Sequence, residues 1–185
     1  MKNAYLYIKE NLEQSLRNRL IAWRKQPVIL RIDKPTDIGR ARVLGYKAKK
    51  GFVVVRVRIL RGGRRRPRIN RGRRTVRQTV RKTLKMNYQW VAEQRASRKY
   101  TNLEVLNSYK VGKDGKNFFF EVIMVDTSRP EVLSDKNVSW MAKPENQGRA
   151  FRGLTSAAKK SRGLLHKSPE MKVRPSLRAH GRRGN

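Results

Sequence analysis

The 185-residue chain sets 47 Lys and Arg against 13 Asp and Glu, giving a formal net charge of +34, with a pI near 11.6. Self-repulsion on this scale opposes compaction and calls for a polyanion, nucleic acid first of all. The length suits about one domain at ~100–200 residues per domain, the 37% hydrophobic content supports a modest core with arms, and the lack of cysteine excludes a disulfide scaffold or a thiolate metal site.

From the N-terminus, Tyr5, Ile8, Leu12, Leu16, Leu20 and Trp23 recur every three or four positions, which predicts an amphipathic helix ended by Pro27 and packed by that stripe on a core. Glu10 and Glu13 within it, and the lack of a following apolar signal core, argue against a targeting peptide. Val28 to Ile32 reads as a short strand. Thr36 or Asp37 can cap a short basic helix that stops at Gly45. From Phe52 to Leu60 the pattern alternates. Val53, Val55, Val57 and Ile59 share one face, and Arg56 and Arg58 make the other basic toward its end.

Between Arg61 and Lys82, glycines, Pro67 and many arginines surround only Ile69, Val76 and Val80 as apolar side chains, so this stretch is expected to be disordered until it meets a partner. Leu84, Tyr88, Val91, Ala92 and Ala96 predict a second helix over 84–100. Strands over Leu103–Val111 and Phe118–Val125 flank Gly112-Lys113-Asp114-Gly115, a hairpin signal because Asp-Gly tolerates positive φ. The second of these is the longest apolar run; interrupted by Glu121, it is far too short to cross a bilayer, and a soluble cytoplasmic protein is expected. Beyond Asp126 periodicity fades, with short helical turns expected near Pro130 and Ser156.

The expected fold class is α+β: a small, mostly antiparallel sheet with packed helices, plus a long basic loop and a C-terminal extension. Its divisions are a core over 1–126, with the amphipathic helix and a basic insertion at 61–83, and a basic extended arm over 127–185.

No acidic residue falls between Asp37 and Glu93, so charge is segregated as well as high. The candidate RNA contacts there are Arg40, Arg42, Tyr46, Lys47, Lys49, Lys50, Arg56, Arg58, Arg61, Gly62, Gly63, Arg64, Arg65, Arg66, Arg68, Arg71, Arg73, Arg74, Arg77, Arg81 and Lys82. Arginine dominates after Lys50; its planar fork binds phosphate bidentately and stacks on bases. Gly62 and Gly63 let backbone approach phosphates. In the tail, Arg152, Lys159, Lys160 and Arg162 continue the set.

Catalytic groupings are missing from the pattern. His166 and His180 both lie in the basic tail, where contact with phosphate or solvent is the expected role. Gly115-Lys116 fails as a phosphate-binding loop because Asn117 replaces the Ser/Thr and Lys110 replaces the first glycine. No cofactor, metal or small-molecule substrate is expected.

Four blocks carry a family resemblance: Arg42-Val43-Leu44-Gly45-Tyr46-Lys47-Ala48-Lys49; Arg61-Gly62-Gly63-Arg64; Val105-Leu106-Asn107-Ser108-Tyr109 with Val111-Gly112; and Arg152-Gly153-Leu154-Thr155-Ser156-Ala157. In order and spacing the chain resembles ribosomal large-subunit protein fifteen of the archaeal and eukaryotic type. The short tail and Lys172-Val173-Arg174-Pro175-Ser176-Leu177-Arg178 resemble the archaeal branch. The resemblance implies a structural constituent of the large subunit, in contact with its ribosomal RNA and with neighbouring ribosomal proteins, built on an antiparallel α+β fold. It also implies RNA-contacting regions over Arg42–Lys50, Arg61–Lys82 and Arg152–Arg162. Ala158 departs from it, since a glycine is expected there. The competing reading from charge alone is a DNA-compacting chromatin-type protein; an RNA-modifying enzyme and a membrane-active peptide fit less of the sequence.

Overall fold

The computed structural model describes residues 4–65, 72, 81–82 and 84–165. Helix α1 (Ala4–Lys25) leads into strand β1 (Ile29–Ile32), the short helix α2 (Ile38–Val43) and the long strand β2 (Phe52–Leu60). Two-residue strands β3 (Arg64–Arg65) and β4 (Arg81–Lys82) bracket the arginine-rich stretch. Helix α3 (Tyr88–Lys99), hairpin strands β5 (Glu104–Lys113) and β6 (Asn117–Val125), and short helices α4 (Pro130–Leu133), α5 (Arg149–Arg152) and α6 (Ser156–Ser161) complete the order.

The four-stranded sheet runs β1-β2-β6-β5, with every pairing antiparallel, so the expected fold class holds. β2 and β6 pair along their full lengths, from Phe52 opposite Val125 to Leu60 opposite Asn117. That register sorts the side chains by alternation. Val55, Val57, Ile59, Phe120, Val122 and Met124 meet Ala92 and Ala96 of α3 in the main core.

The opposite face is covered as well. Leu16, Leu20 and Trp23 of α1 close on Phe119, and Ala41 of α2 packs with Tyr109 and Ile123. The sheet is therefore the middle of three layers, and the basic face expected for β2 lies under α1. Arg56 sits 4.4 Å from the centre of the Trp23 ring and donates to Gln26 Oε1 at 2.5 Å, while Arg58 donates to the Arg24 carbonyl.

Local chemistry sets the boundaries. Asp37 caps α2 by accepting from Arg40 N at 2.8 Å, and Gly45, at φ +98°, turns the chain after it. α3 starts four residues later than the spacing predicts, because the Asn87 side chain accepts from Trp90 N at 2.8 Å and fixes the first turn. The β5–β6 turn does not use positive φ at Gly115. Instead the Asp114 carboxylate accepts from Lys116 N at 2.8 Å and from Asn117 N at 2.5 Å. Gly112 lies within bulged β5, where a Cβ would meet Leu20 Cδ2 at 3.1 Å, so the glycine lets α1 approach.

Residues 127–165, expected to leave the core as part of an extended arm, instead fold back on it. Val132, Val138 and Met141 are buried against Val125, and Trp90 closes on Ala157 and Ala158. Arg149 Nη1 donates to the carbonyls of Val105 and Leu106, at 3.1 and 3.2 Å, which covers the outer edge of β5. The short elements expected near Pro130 and Ser156 are α4 and α6.

Candidate nucleic-acid interface

Three basic segments leave this frame. The first spans residues 36–50. Thr36 is fixed by Glu121 of β6, which accepts from Thr36 N at 3.0 Å, from Thr36 Oγ1 and from the Tyr109 hydroxyl. With Ala41 fully buried, α2 turns Arg40 and Arg42 outward. Tyr46 is half-buried, edge-on to Phe52 at 6.3 Å. Lys47 pairs with Asp135 at 2.5 Å; Lys49, 3.9 Å from the same carboxylate, stays exposed beside Lys50. The Lys47 hydrogen bond leads the interactions that hold the Asp135 carboxyl below its ordinary value.

The second segment is the arginine-rich loop and its root. Arg61 Nη1 donates to the carbonyls of Asp114 and Gly115 at 3.0 and 3.3 Å, with its guanidinium 5.2 Å from the Phe118 ring centre. The Tyr88 hydroxyl accepts from Gly62 N at 2.8 Å and donates to Gly62 O at 3.2 Å. Gly62 takes φ +99° with open space where a Cβ would stand, and Gly63 and Arg64 are exposed. The β3–β4 ladder then sets Arg64 opposite Lys82 and Arg65 opposite Arg81. Both pairs are cation against cation, an arrangement that weakens a sheet unless an anion intervenes. Arg66, Arg68, Arg71, Arg73, Arg74 and Arg77 lie outside the described residues, as do His166, His180 and the tail beyond 165.

The third segment is 149–162. Arg152, half-buried, donates to the Gln147 carbonyl at 3.0 Å and to the Glu145 carbonyl. Lys159 and Lys160 project from the last turn of α6 into solvent. Arg162, grouped with them by composition, is only 5% exposed and donates to the Gly153 carbonyl at 3.0 Å. Ala158 is fully buried beside Trp90, so its methyl group faces the core.

The three-dimensional arrangement adds cations that the sequence pattern did not single out. Arg24, Lys110, Lys113 and Lys116 are exposed around the end of the β5–β6 hairpin, next to Arg61. Their signal is faint in one dimension because they come from a helix end, a strand and a turn.

Of the candidates, Arg40, Arg42, Lys49, Lys50, Arg61, Gly62, Gly63, Arg64, Lys159 and Lys160 are exposed. Arg56 is half-buried beside Trp23 and Arg162 is buried, each bonded within the fold. Burial lowers the Arg56 pKa, opposed by the charge of Glu121 opposite it in the ladder. Among the described residues, no group of His, Asp or Glu could hold a metal ion, and no helix is long and apolar enough to cross a membrane.

The class of protein the fold defines is a three-layer α+β core that carries segregated cationic segments around its edges. The family model described as Ribosomal L15 matches residues 3–180, and the chain belongs to that family, in its archaeal type. It is 55% identical to the large ribosomal subunit protein eL15 of Picrophilus torridus, over 89% of this chain and 85% of that protein. It is 47% identical to the protein of the same name from Methanocella arvoryzae, over 100% of this chain and 99% of that one.

Proposed function

We propose that the chain is a structural constituent of the large ribosomal subunit, located with the ribosome in the archaeal cytoplasm, where it holds folded ribosomal RNA by neutralising phosphates. The observation that carries this reading is the family match, which runs unbroken through all three basic segments. The core docks as a rigid body; the loop and the basic termini replace counterions between RNA helices. Neighbouring ribosomal proteins complete its surroundings, and it acts without catalysis or cofactor.

Arginine suits this role because its fork engages two phosphate oxygens while its plane stacks on a base. A-form RNA is read by shape and backbone contact, which asks for positioned cations rather than a base-reading helix. The test is co-sedimentation of tagged protein with ribosomal subunits through a high-salt sucrose gradient. Stoichiometric recovery with the large subunit is expected; recovery at the top of the gradient or with bulk DNA would overturn the reading in favour of chromatin-type compaction.

A further inference from the structure

Glu121 is the most enclosed acid on the α2 side of the sheet: it is fully buried in β6, between Arg56 of β2 and Tyr109 of β5. A carboxylate needed only to close the strand pairing would be replaceable by any β-former. This one instead collects donors from far along the chain. Thr36 gives it both a backbone N–H and a hydroxyl, and Tyr109 gives a third hydrogen bond.

Thr36 immediately precedes the cap of α2. From it the chain runs through Asp37, the buried Ala41 and the Tyr46 N–H, which donates to the Ala41 carbonyl at 2.9 Å. Arg40, Arg42, Lys49 and Lys50 hang from that stretch. The helix is too short to be stable by itself, and its cations repel one another and the rest of the chain. Its orientation therefore depends on its ties to the rest of the fold: the Ala41 packing against Tyr109 and Ile123, the Lys47–Asp135 pair, and, at its start, the bonds from Thr36 to Glu121.

From this geometry we infer that Glu121 is a positioning residue for RNA binding: by holding Thr36, it sets α2 and its following loop so that Arg40, Arg42, Lys49 and Lys50 meet phosphates as a preformed group. This rests on the RNA-binding reading above. Preorganisation raises affinity by removing the entropy of ordering these side chains and their backbone on binding. Removing Glu121 should therefore reduce affinity only through those four cations.

The test is a double-mutant cycle on the full-length protein, binding a large-subunit ribosomal RNA transcript at fixed salt. One axis is Glu121→Ala; the other is Arg40→Ala, Arg42→Ala, Lys49→Ala and Lys50→Ala together. Glu121→Ala alone should weaken binding about tenfold or more and lower the salt slope, toward the loss of about 3 expected for the fourfold cation variant. In the fourfold background it should weaken binding less than about twofold further. Glu121→Gln, which keeps an acceptor for Thr36, should recover most of the affinity. Should Glu121→Ala fail to fold, Thr36→Val removes one of the hydrogen bonds without opening the core and carries the same cycle. An equal loss in both backgrounds would overturn the positioning role while leaving RNA binding intact. A fourfold variant that binds as tightly as the parent would instead show that this segment does not contact RNA, and the inference would fall with it.

Discussion

Glu93 and Glu121 are both fully buried carboxylates in a chain of net charge +34, and each is held by hydroxyls. Glu93 of α3 accepts from Ser108 of β5 and, at 2.5 Å, from Thr155 ahead of α6. Replacing it by alanine strands two buried hydroxyls and removes the charge facing Arg149, so Glu93→Ala should destabilise the protein by about 1–3 kcal/mol in urea unfolding. Burial raises both carboxyl pKa values above the ordinary 4.5, against the hydrogen bonds that pull them down. The native state therefore holds these protons more tightly than the unfolded chain. Their contribution is fully present below the unfolded pKa and is lost as pH rises through the raised folded values. A Glu93→Gln, Glu121→Gln variant, which mimics the protonated forms, should gain on the parent as pH rises from about 4.5. A pH-independent difference between the two urea-unfolding curves would refute that. Asp126, held low first by the Ser128 hydroxyl, and Asp135, held low first by Lys47, act in the opposite sense, their contribution fading as pH falls below the usual carboxylate range.

At the scale of the element, the β3–β4 ladder is the weak point. With like charges opposite at both positions, and Tyr88 bonded to Gly62 at its root, it should open readily in protein free of RNA. Hydrogen exchange at Arg64, Arg65, Arg81 and Lys82 should slow markedly on adding RNA, and Tyr88→Phe should speed exchange at Gly62 in the free protein; unchanged rates in both comparisons would show the ladder to be stable alone. Gly112 makes the complementary case on the other side of the sheet. Gly112→Ala puts a Cβ within 3.1–3.3 Å of Leu20 and Leu16, and should loosen α1 at about 1–3 kcal/mol, read from urea unfolding followed by intrinsic tryptophan fluorescence.

These elements also show what the sequence makes visible. The α1 stripe, the β2 alternation and the β5–β6 hairpin announce themselves because they are long enough to repeat a period. α4, α5 and α6, at four to six residues, are not, and their buried side chains include Ala150, Ala157 and Ala158, which leave little apolar signal. That is why 127–165 read as an arm. The cations read from composition over 40–50, 61–64 and 159–160 are exposed at Arg40, Arg42, Lys49, Lys50, Arg61, Arg64, Lys159 and Lys160. Composition could not tell Arg56 and Arg162 from their neighbours, because burial of an arginine is decided by which carbonyl or ring lies beside it in three dimensions. Buried Glu93 and Glu121 were equally hidden, a carboxylate in one dimension being indistinguishable from a surface charge.

For the whole molecule, affinity should be governed by counterion release. If about ten phosphates are neutralised, a slope of about 0.7–0.9 per phosphate predicts roughly four to five decades of affinity lost between 50 and 200 mM salt. Filter binding to ribosomal RNA across that range would check it, and a flat response would remove charge neutralisation as the basis of binding. The covered edge of β5 and the second helical layer formed by α1 and α2 belong to this scale too, for they leave a core closed on both faces from which the cationic segments project.

The backbone pairing of Arg64–Arg65 with Arg81–Lys82 carries a topological consequence. A terminal extension has a free end and can be drawn lengthwise through a narrow passage, one strand at a time. The paired strands β3 and β4 have none: joined side by side, Arg64–Arg65 and Arg81–Lys82 can enter a crevice only together, needing at least the ~5 Å more width that separates paired strands. Wherever the RNA around it is tighter than that, the RNA must close last. The order of assembly at such a point would then follow from the strand pairing, with β3 and β4 in place first and the nucleic acid closing on them afterwards.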